Sequence, residues 1–435
     1  MHIQERNSFA QVWRTFTFDT VFALFGIFSL FHFLKKSKLA KDQKKLWDER
    51  WGFLSFRRKP ESRVIWIHAV SVGEVSAVSK FVKQINKEMP AAQIIFSTVT
   101  PTGQTMAESL KSIGCHLIYF PFDLSFIARR VLNQIRPNLV LLAETEIWPN
   151  FILQAKRMGI PVGIINGRLS QKSLNRYRMV RWLMKPVFQS LDFVLAQTEL
   201  DGKHFSELGI DVSRIHVLGN MKFDQTEITD VAGDTKTALG YADSDQVLIA
   251  GSTHPGEEKL ILETAKSLSQ EFPDLKVLVA PRHPERAREI GEETERLGFE
   301  PKYLSTPNGR INQKQVLIVD RIGELKKIYP IADLVVMGGS FIRHGGQNPI
   351  EPALASRAIL SGPNVFNFRA VYETLMSKNA VEIIPDRETL TKRLRRLLSD
   401  KSLRESLGQN ANQVVLTQRG ATERHVHWVK GFLNA

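Results

Sequence analysis

From residue 64 onward, short runs rich in Val, Ile, Leu and Phe alternate with longer stretches whose apolar positions recur every three or four residues. The short runs read as strands and the longer stretches as amphipathic helices. Strand candidates are 64–69, 93–98, 117–120, 139–143, 162–165, 193–196 and 215–218. The pattern then softens over 225–245, a polar stretch rich in Asp, Thr and Gly that reads as a linker. Alternation resumes at 247–250, 276–280, 316–319, 334–337, 358–360 and 381–384, and the chain from residue 387 is helical and basic. Strands separated by helices predict parallel sheets covered on both faces, so the fold class is α/β. The expected organisation is 1–45 as an N-terminal helix with a basic flank, 46–225 as one Rossmann-like domain, 226–245 as linker and 246–435 as a second such domain. Two such halves imply a cleft, with ligands beyond the carboxyl ends of the strands.

One block stands apart. Residues 16–34 are strongly apolar, and 21–34 contain no Asp, Glu, Lys or Arg. At about 1.5 Å per helical residue the block reaches roughly 27 Å, just short of a hydrocarbon core. It can span a bilayer tightly or lie in one leaflet, and Asp19 argues against a simple span. The alternative is a buried helix with a solvated charged face. Residues 35–63 follow with 11 Lys+Arg against 4 Asp+Glu. A basic run beside an apolar helix suits an anionic cytoplasmic leaflet, which places the body at the cytoplasmic face of a membrane.

Composition narrows the classes. The 435 residues are 43% hydrophobic and 24% charged, ordinary for a globular chain. A single cysteine, Cys115, excludes a disulfide framework. The net charge of +14 favours anionic partners. A nucleic-acid binder fits poorly, because half of that excess sits beside the apolar block and no aromatic–basic stripe marks the α/β body.

Six motifs follow predicted strands. In the first, Ser71-Val72-Gly73-Glu74, a carboxylate opens a helix, either to accept a proton or to cap the helix. The second, Glu144-Thr145-Glu146-Ile147-Trp148-Pro149, sets two carboxylates two residues apart, to order a basic group or hydroxyl or to pair with structural arginines. Lys222, in Gly219-Asn220-Met221-Lys222-Phe223-Asp224, can reach an anion or be a solvated lysine. Ser252-Thr253-His254 sits where a helix start would make an anion site or a plain cap. Arg282, between Pro281 and Pro284, can fork onto a phosphate or carboxylate, or form a surface ion pair. The last motif runs from Gly338-Gly339-Ser340 to Gly345-Gly346-Gln347-Asn348-Pro349-Ile350-Glu351-Pro352. Two glycine pairs let backbone approach a ligand, Asn348 reads as an N-cap with Pro349 first in the helix, and Glu351 stands in the first turn, placed for ribose hydroxyls. No grouping of residues suggests a metal.

Taken in order and at their spacing, HAVSVGE (68–74), STVTPTG (97–103), ETEIWPN (144–150), GNMKFD (219–224), AGSTHPGEE (250–258), PRHPER (281–286), IGEL (322–325) and GGSFIRHGGQNPIEP (338–352) resemble the 3-deoxy-D-manno-octulosonic acid (Kdo) transferases of Gram-negative bacteria. The resemblance implies a GT-B glycosyltransferase fold at the cytoplasmic face of the inner membrane. It implies CMP-Kdo as donor, a tetraacylated lipid A precursor as acceptor, an anionic membrane surface as a partner, and no cofactor, metal or nucleic acid. By motif position it implies Glu74 as general base and Glu144 and Lys222 as groups that stabilise the transition state. Pro281, Arg282, Ile322, Gly323, Glu324, Asn348, Pro349, Ile350 and Glu351 are implied in CMP binding, with Ser252 and His254 as further donor contacts. Gln347 and Ile322 depart from the commoner His and Met of the family pattern. A GT-B enzyme using another nucleotide sugar, such as a UDP-hexose, is the rival within the same fold.

Overall fold

The computed structural model describes residues 13–24, 40–226, 235–306 and 309–434. The chain divides into two units, Met1–Gln225 with Arg419–Ala435, and Thr226–Gln418. In the first, β1 (Val64–His68), β2 (Gln93–Thr98), β3 (His116–Tyr119), β4 (Leu139–Ala143), β5 (Val162–Gly167), β6 (Phe193–Ala196) and β7 (Ile215–Val217) form one parallel sheet in the order β3-β2-β1-β4-β5-β6-β7. Successive side chains enter opposite layers: Val64 and Trp66 pack on one face, Ile65 and Ile67 on the other. Burial on both faces is why these strands read as continuous apolar runs. The strand order reverses between β1 and β4, so the loops after these two strands part at the topological switch point.

The second unit repeats the plan. β8 (Gln246–Thr253), β9 (Leu275–Pro281), β10 (Glu300–Tyr303), β11 (Gln315–Ile318), β12 (Leu334–Met337), β13 (Ala358–Ser361) and β14 (Glu382–Ile383) are parallel, in the order β10-β11-β9-β8-β12-β13-β14. Its switch point lies between β8 and β12.

Three expectations change. The C-terminal domain does not run to residue 435, because the helix Ala421–Asn434 packs on the first unit. Val426 and Val429 lie in that unit's core with Val78 and Phe81. The fastening is Asp224, whose carboxylate accepts the N–H groups of Gly420 (2.7 Å) and Thr422 (2.6 Å). The linker is shorter than 226–245 in its folded part: Tyr241 is buried, and Asp245 pairs with Lys276 at 3.0 Å inside the second unit. Residues 227–234 lie outside the described residues. Strand β10 has no counterpart among the expected strands, since its sequence EPKY is polar and half-exposed at the sheet edge.

Of the apolar block 16–34, residues 25–34 lie outside the described residues, as do Lys35, Lys36 and Lys38. Residues 13–24 are helical and rest on the first unit, with Phe18 in its core. No helix among the described residues is long and apolar enough to cross a membrane.

Candidate active site

In the first unit the motif residues gather on the carboxyl ends of the parallel strands. Ser71 ends the turn after β1 and is the N-cap of the helix Val72–Glu88, without capping through its own side chain. Glu74, in the first turn, reaches back instead: its Oε2 accepts the Val70 N–H at 2.7 Å and its Oε1 the Ser71 hydroxyl at 2.9 Å. These are the bonds of a capping glutamate. Burial nevertheless raises its pKa to about 7, with the charge of Glu144 adding to the rise. Capping bonds and a raised pKa thus coexist in one side chain.

Glu144 begins the loop after β4 with a left-handed backbone (φ 55°), its N–H held by the Ile165 carbonyl at 3.0 Å. Such a conformation costs of order 1 kcal/mol outside glycine. The Glu144 carboxylate pairs with Lys222 Nζ at 3.0 Å. Lys222 is therefore not a solvated lysine, being 9% exposed, and the partner of Glu144 is this lysine rather than an arginine. Glu146 completes the cluster. Burial, then the charges of Glu74 and Glu144, lift its pKa to about 8. Lys222 pairs with Glu144 and lowers Glu74 against these rises, whereas Glu146 feels burial and the two other carboxylates.

Behind them, the Trp148 indole N–H donates to His68 Nε2 (3.1 Å), and His68 Nδ1 meets the Ser97 hydroxyl (2.9 Å). An Nε2 that accepts is unprotonated, and full burial takes the His68 pKa down to about 3. Lys222 is set by Asn166, which no sequence motif singles out. Buried and left-handed (φ 52°), Asn166 accepts the Met221 N–H at Oδ1 (2.9 Å) and donates its own N–H to His425 Nε2 (3.2 Å). Its one local signal is an Asn-Gly pair closing a strand, which marks a backbone turn without naming the segment it holds.

In the second unit the residues implied in CMP binding follow β9, β11 and β12, which with β8 are consecutive in the sheet. Pro281 ends β9 and Arg282 follows it, exposed. No ion pair engages Arg282 or Lys326 among the described residues, yet both lower the Glu351 pKa against a larger rise from burial. The Ile322–Glu324 turn follows β11, with Ile322 86% exposed and Gly323 at φ 87°. Glu324 holds Lys327 at 3.3 Å. Asn348 Oδ1 accepts the Ile350 N–H at 3.1 Å, but the N-cap is Pro349, not Asn348, and the helix is Ile350–Leu354, one residue later than expected and five residues long. So short a helix offers little macrodipole.

Two readings of the glycine-rich loops are corrected. The N–H groups of His254, Gly339, Ser340 and Phe341 do not face a ligand, for the buried carboxylate of Glu257 accepts all four at 2.6–3.0 Å. Ser252 and Thr253 do not open a helix either: β8 runs to Thr253, and the next helix starts at Glu257. Several glycines serve internal packing, since a Cβ on Gly338 would stand 2.2 Å from the Ser252 carbonyl oxygen. His254 is 4% exposed, lies against His344 with the rings tilted and their centres 3.8 Å apart, and accepts from Gln347 Nε2 at 3.0 Å. Burial, then His344, lowers its pKa to about 4, so it is neutral at physiological pH.

Comparison with known proteins gives consistent matches. A family model described as 3-Deoxy-D-manno-octulosonic-acid transferase (kdotransferase) matches residues 45–225. A 3-deoxy-D-manno-octulosonic acid transferase of Haemophilus influenzae is 33% identical over 387 residues, 88% of this chain and 91% of that protein. Among solved structures, MurG of Acinetobacter baumannii superposes with a TM-score of 0.54 at 16% identity, covering 85% of this chain and 99% of that one. The UDP-GlcNAc 2-epimerase of Neisseria meningitidis gives 0.55 at 13% identity, covering 85% and 100%. The two structural likenesses speak for the fold alone.

Proposed function

The chain belongs to the 3-deoxy-D-manno-octulosonic acid (Kdo) transferase family, glycosyltransferases of GT-B fold, and on that premise we propose that it transfers Kdo from CMP-Kdo to a hydroxyl of the lipid A precursor. The observation that carries the reading is the desolvated Glu74 carboxyl at the switch point of the first sheet, beside the Lys222–Glu144 pair. Glu74 takes the proton of the attacking hydroxyl. The acceptor oxygen forms its bond to the Kdo anomeric carbon from the face opposite CMP. The bond to the phosphate oxygen breaks, and CMP leaves with the electron pair. The configuration inverts. Lys222, held by Glu144, answers the charge that develops, without a metal, and Arg282 binds the donor phosphate; charges fixed in advance in this way usually lower a barrier more than any other single effect. Glu351 and Asn348 accept and donate hydrogen bonds to the nucleoside. The +14 charge suits a phosphorylated lipid acceptor and an anionic cytoplasmic leaflet of the inner membrane, where this enzyme works.

The test is incubation of the purified full chain with CMP-Kdo and lipid A precursor, read by mass spectrometry. The expected result is acceptor gaining whole Kdo increments, with CMP inhibiting and UDP not. Transfer from a UDP-sugar, or no increment with CMP-Kdo, contradicts the assignment.

A further inference from the structure

The helical segment 13–24 carries one acidic residue, Asp19. Phe18 and Phe22 turn inward; Phe18 is 7% exposed in the core, and Phe22 meets Phe122 with ring centres 6.1 Å apart. Trp13, Phe16, Val21 and Leu24 stay exposed. Asp19 also faces the unit. Its Oδ1 accepts the Ser125 N–H at 2.8 Å, and its Oδ2 the Ser125 hydroxyl at 2.6 Å. That part is a helix cap. The helix Ser125–Ile135 has Leu124 at its N-cap, which cannot cap, and a carboxylate 106 residues earlier does so.

A cap does not need the next bond. Asp19 Oδ1 also accepts from Asn150 Nδ2 at 3.0 Å. Asn150 closes the motif Glu144–Asn150 and opens the helix Pro149–Arg157. It is 1% exposed and pinned again by buried Asp123, which accepts its N–H at 3.1 Å and, at its carbonyl, its amide at 2.7 Å. The loop that carries Glu144 and Glu146 is thus held midway by the Trp148–His68 bond and at its end by Asn150.

We propose that Asp19 is a positioning residue for this loop, through Asn150, so that the N-terminal helix is part of the catalytic framework rather than a detachable leader. The proposal rests on the reading that Glu74, Glu144 and Lys222 carry the transfer. Misplacing reacting groups by about 1 Å can cost about a hundredfold in rate; a loosened loop forfeits part of that.

The test uses the full chain in detergent with solubilised acceptor, so that recruitment to a surface does not limit turnover. Asp19→Ala is expected to lower kcat about tenfold with the KM for CMP-Kdo unchanged. Asp19→Asn, which keeps an acceptor oxygen, should recover most of that kcat. Ser125→Ala, which removes one bond of the cap and leaves Asn150 held, should lower the melting temperature without lowering kcat. Parental kcat in Asp19→Ala overturns the proposal, as does a kcat loss that follows melting temperature equally in all three variants. Glu74→Gln runs alongside: its parental turnover would remove the premise, whereas its loss with a parental Asp19→Ala would sink this proposal alone.

Discussion

A carboxyl with a pKa near 7 is mostly protonated at pH 6, and a protonated base cannot accept. The kcat/KM of the transfer should therefore rise with pH through about 7, nearly tenfold per unit on the acid side, and not level off near 4.5. Glu144→Gln removes the neighbouring charge that adds to the rise, so the acid limb should move to lower pH even as the rate falls. A limb that stays in place would show that Glu144 does not act on Glu74. Glu74, Glu144 and Lys222 are legible in the sequence because each follows a strand, where α/β sheets place their chemistry. Glu257 and Asn166 are not. Glu257 binds N–H groups up to 84 residues away, and nothing local separates it from Glu258, which holds the Thr253 hydroxyl and Arg286.

At the scale of elements, long-range fastening decides what local pattern leaves open. The helix Ala421–Asn434 is legible as a helix, but the unit it joins depends on Asp224, some two hundred residues away. Asp224→Ala would leave two N–H groups without their acceptor, one of them buried, and should destabilise the chain by about 2 kcal/mol or more. Urea denaturation checks this, and parental stability would show the helix to be held by its apolar face alone. The starts of the central strands can be read to within about a residue because both their faces are buried, whereas β5 and β8 run on past the expected 165 and 250. Edge strand β10 pairs only with β11 and keeps a polar sequence, so its pattern carries no signal. The helix after Asn348 shows the reverse case: a helix start is legible there, but the N-cap falls on Pro349 and the helix proves one residue late and short.

Across the whole molecule, raised carboxyls set the response to pH. Glu49, Glu74 and Asp123 sit near pKa 7 and Glu146 near 8, all in the first unit and all chiefly through burial. A carboxyl raised on folding holds its proton in the native state where the unfolded chain has released it. Its stabilisation is full below about 4.5 and lost as pH climbs to the folded pKa. The buried histidines His68, His254 and His425, lowered to about 3–4, act oppositely and cost stability as pH falls below about 6.5. Above about pH 7.5 the unfolded histidines are already neutral while Glu146 is still releasing its proton, so the melting temperature should fall from there toward pH 8.5. Glu146→Gln should melt several degrees above the parent at pH 8.5 and level with it at pH 5; equal melting at both would mean Glu146 is ionised without cost. These strained charges sit where the proposed chemistry needs them, and the most direct measurement is turnover by Glu74→Gln with saturating CMP-Kdo, read beside its affinity for CMP. The expected result is CMP affinity within about twofold of the parent and turnover reduced at least a hundredfold, the usual weight of a general base. Near-parental turnover by a protein that still binds CMP would contradict the account.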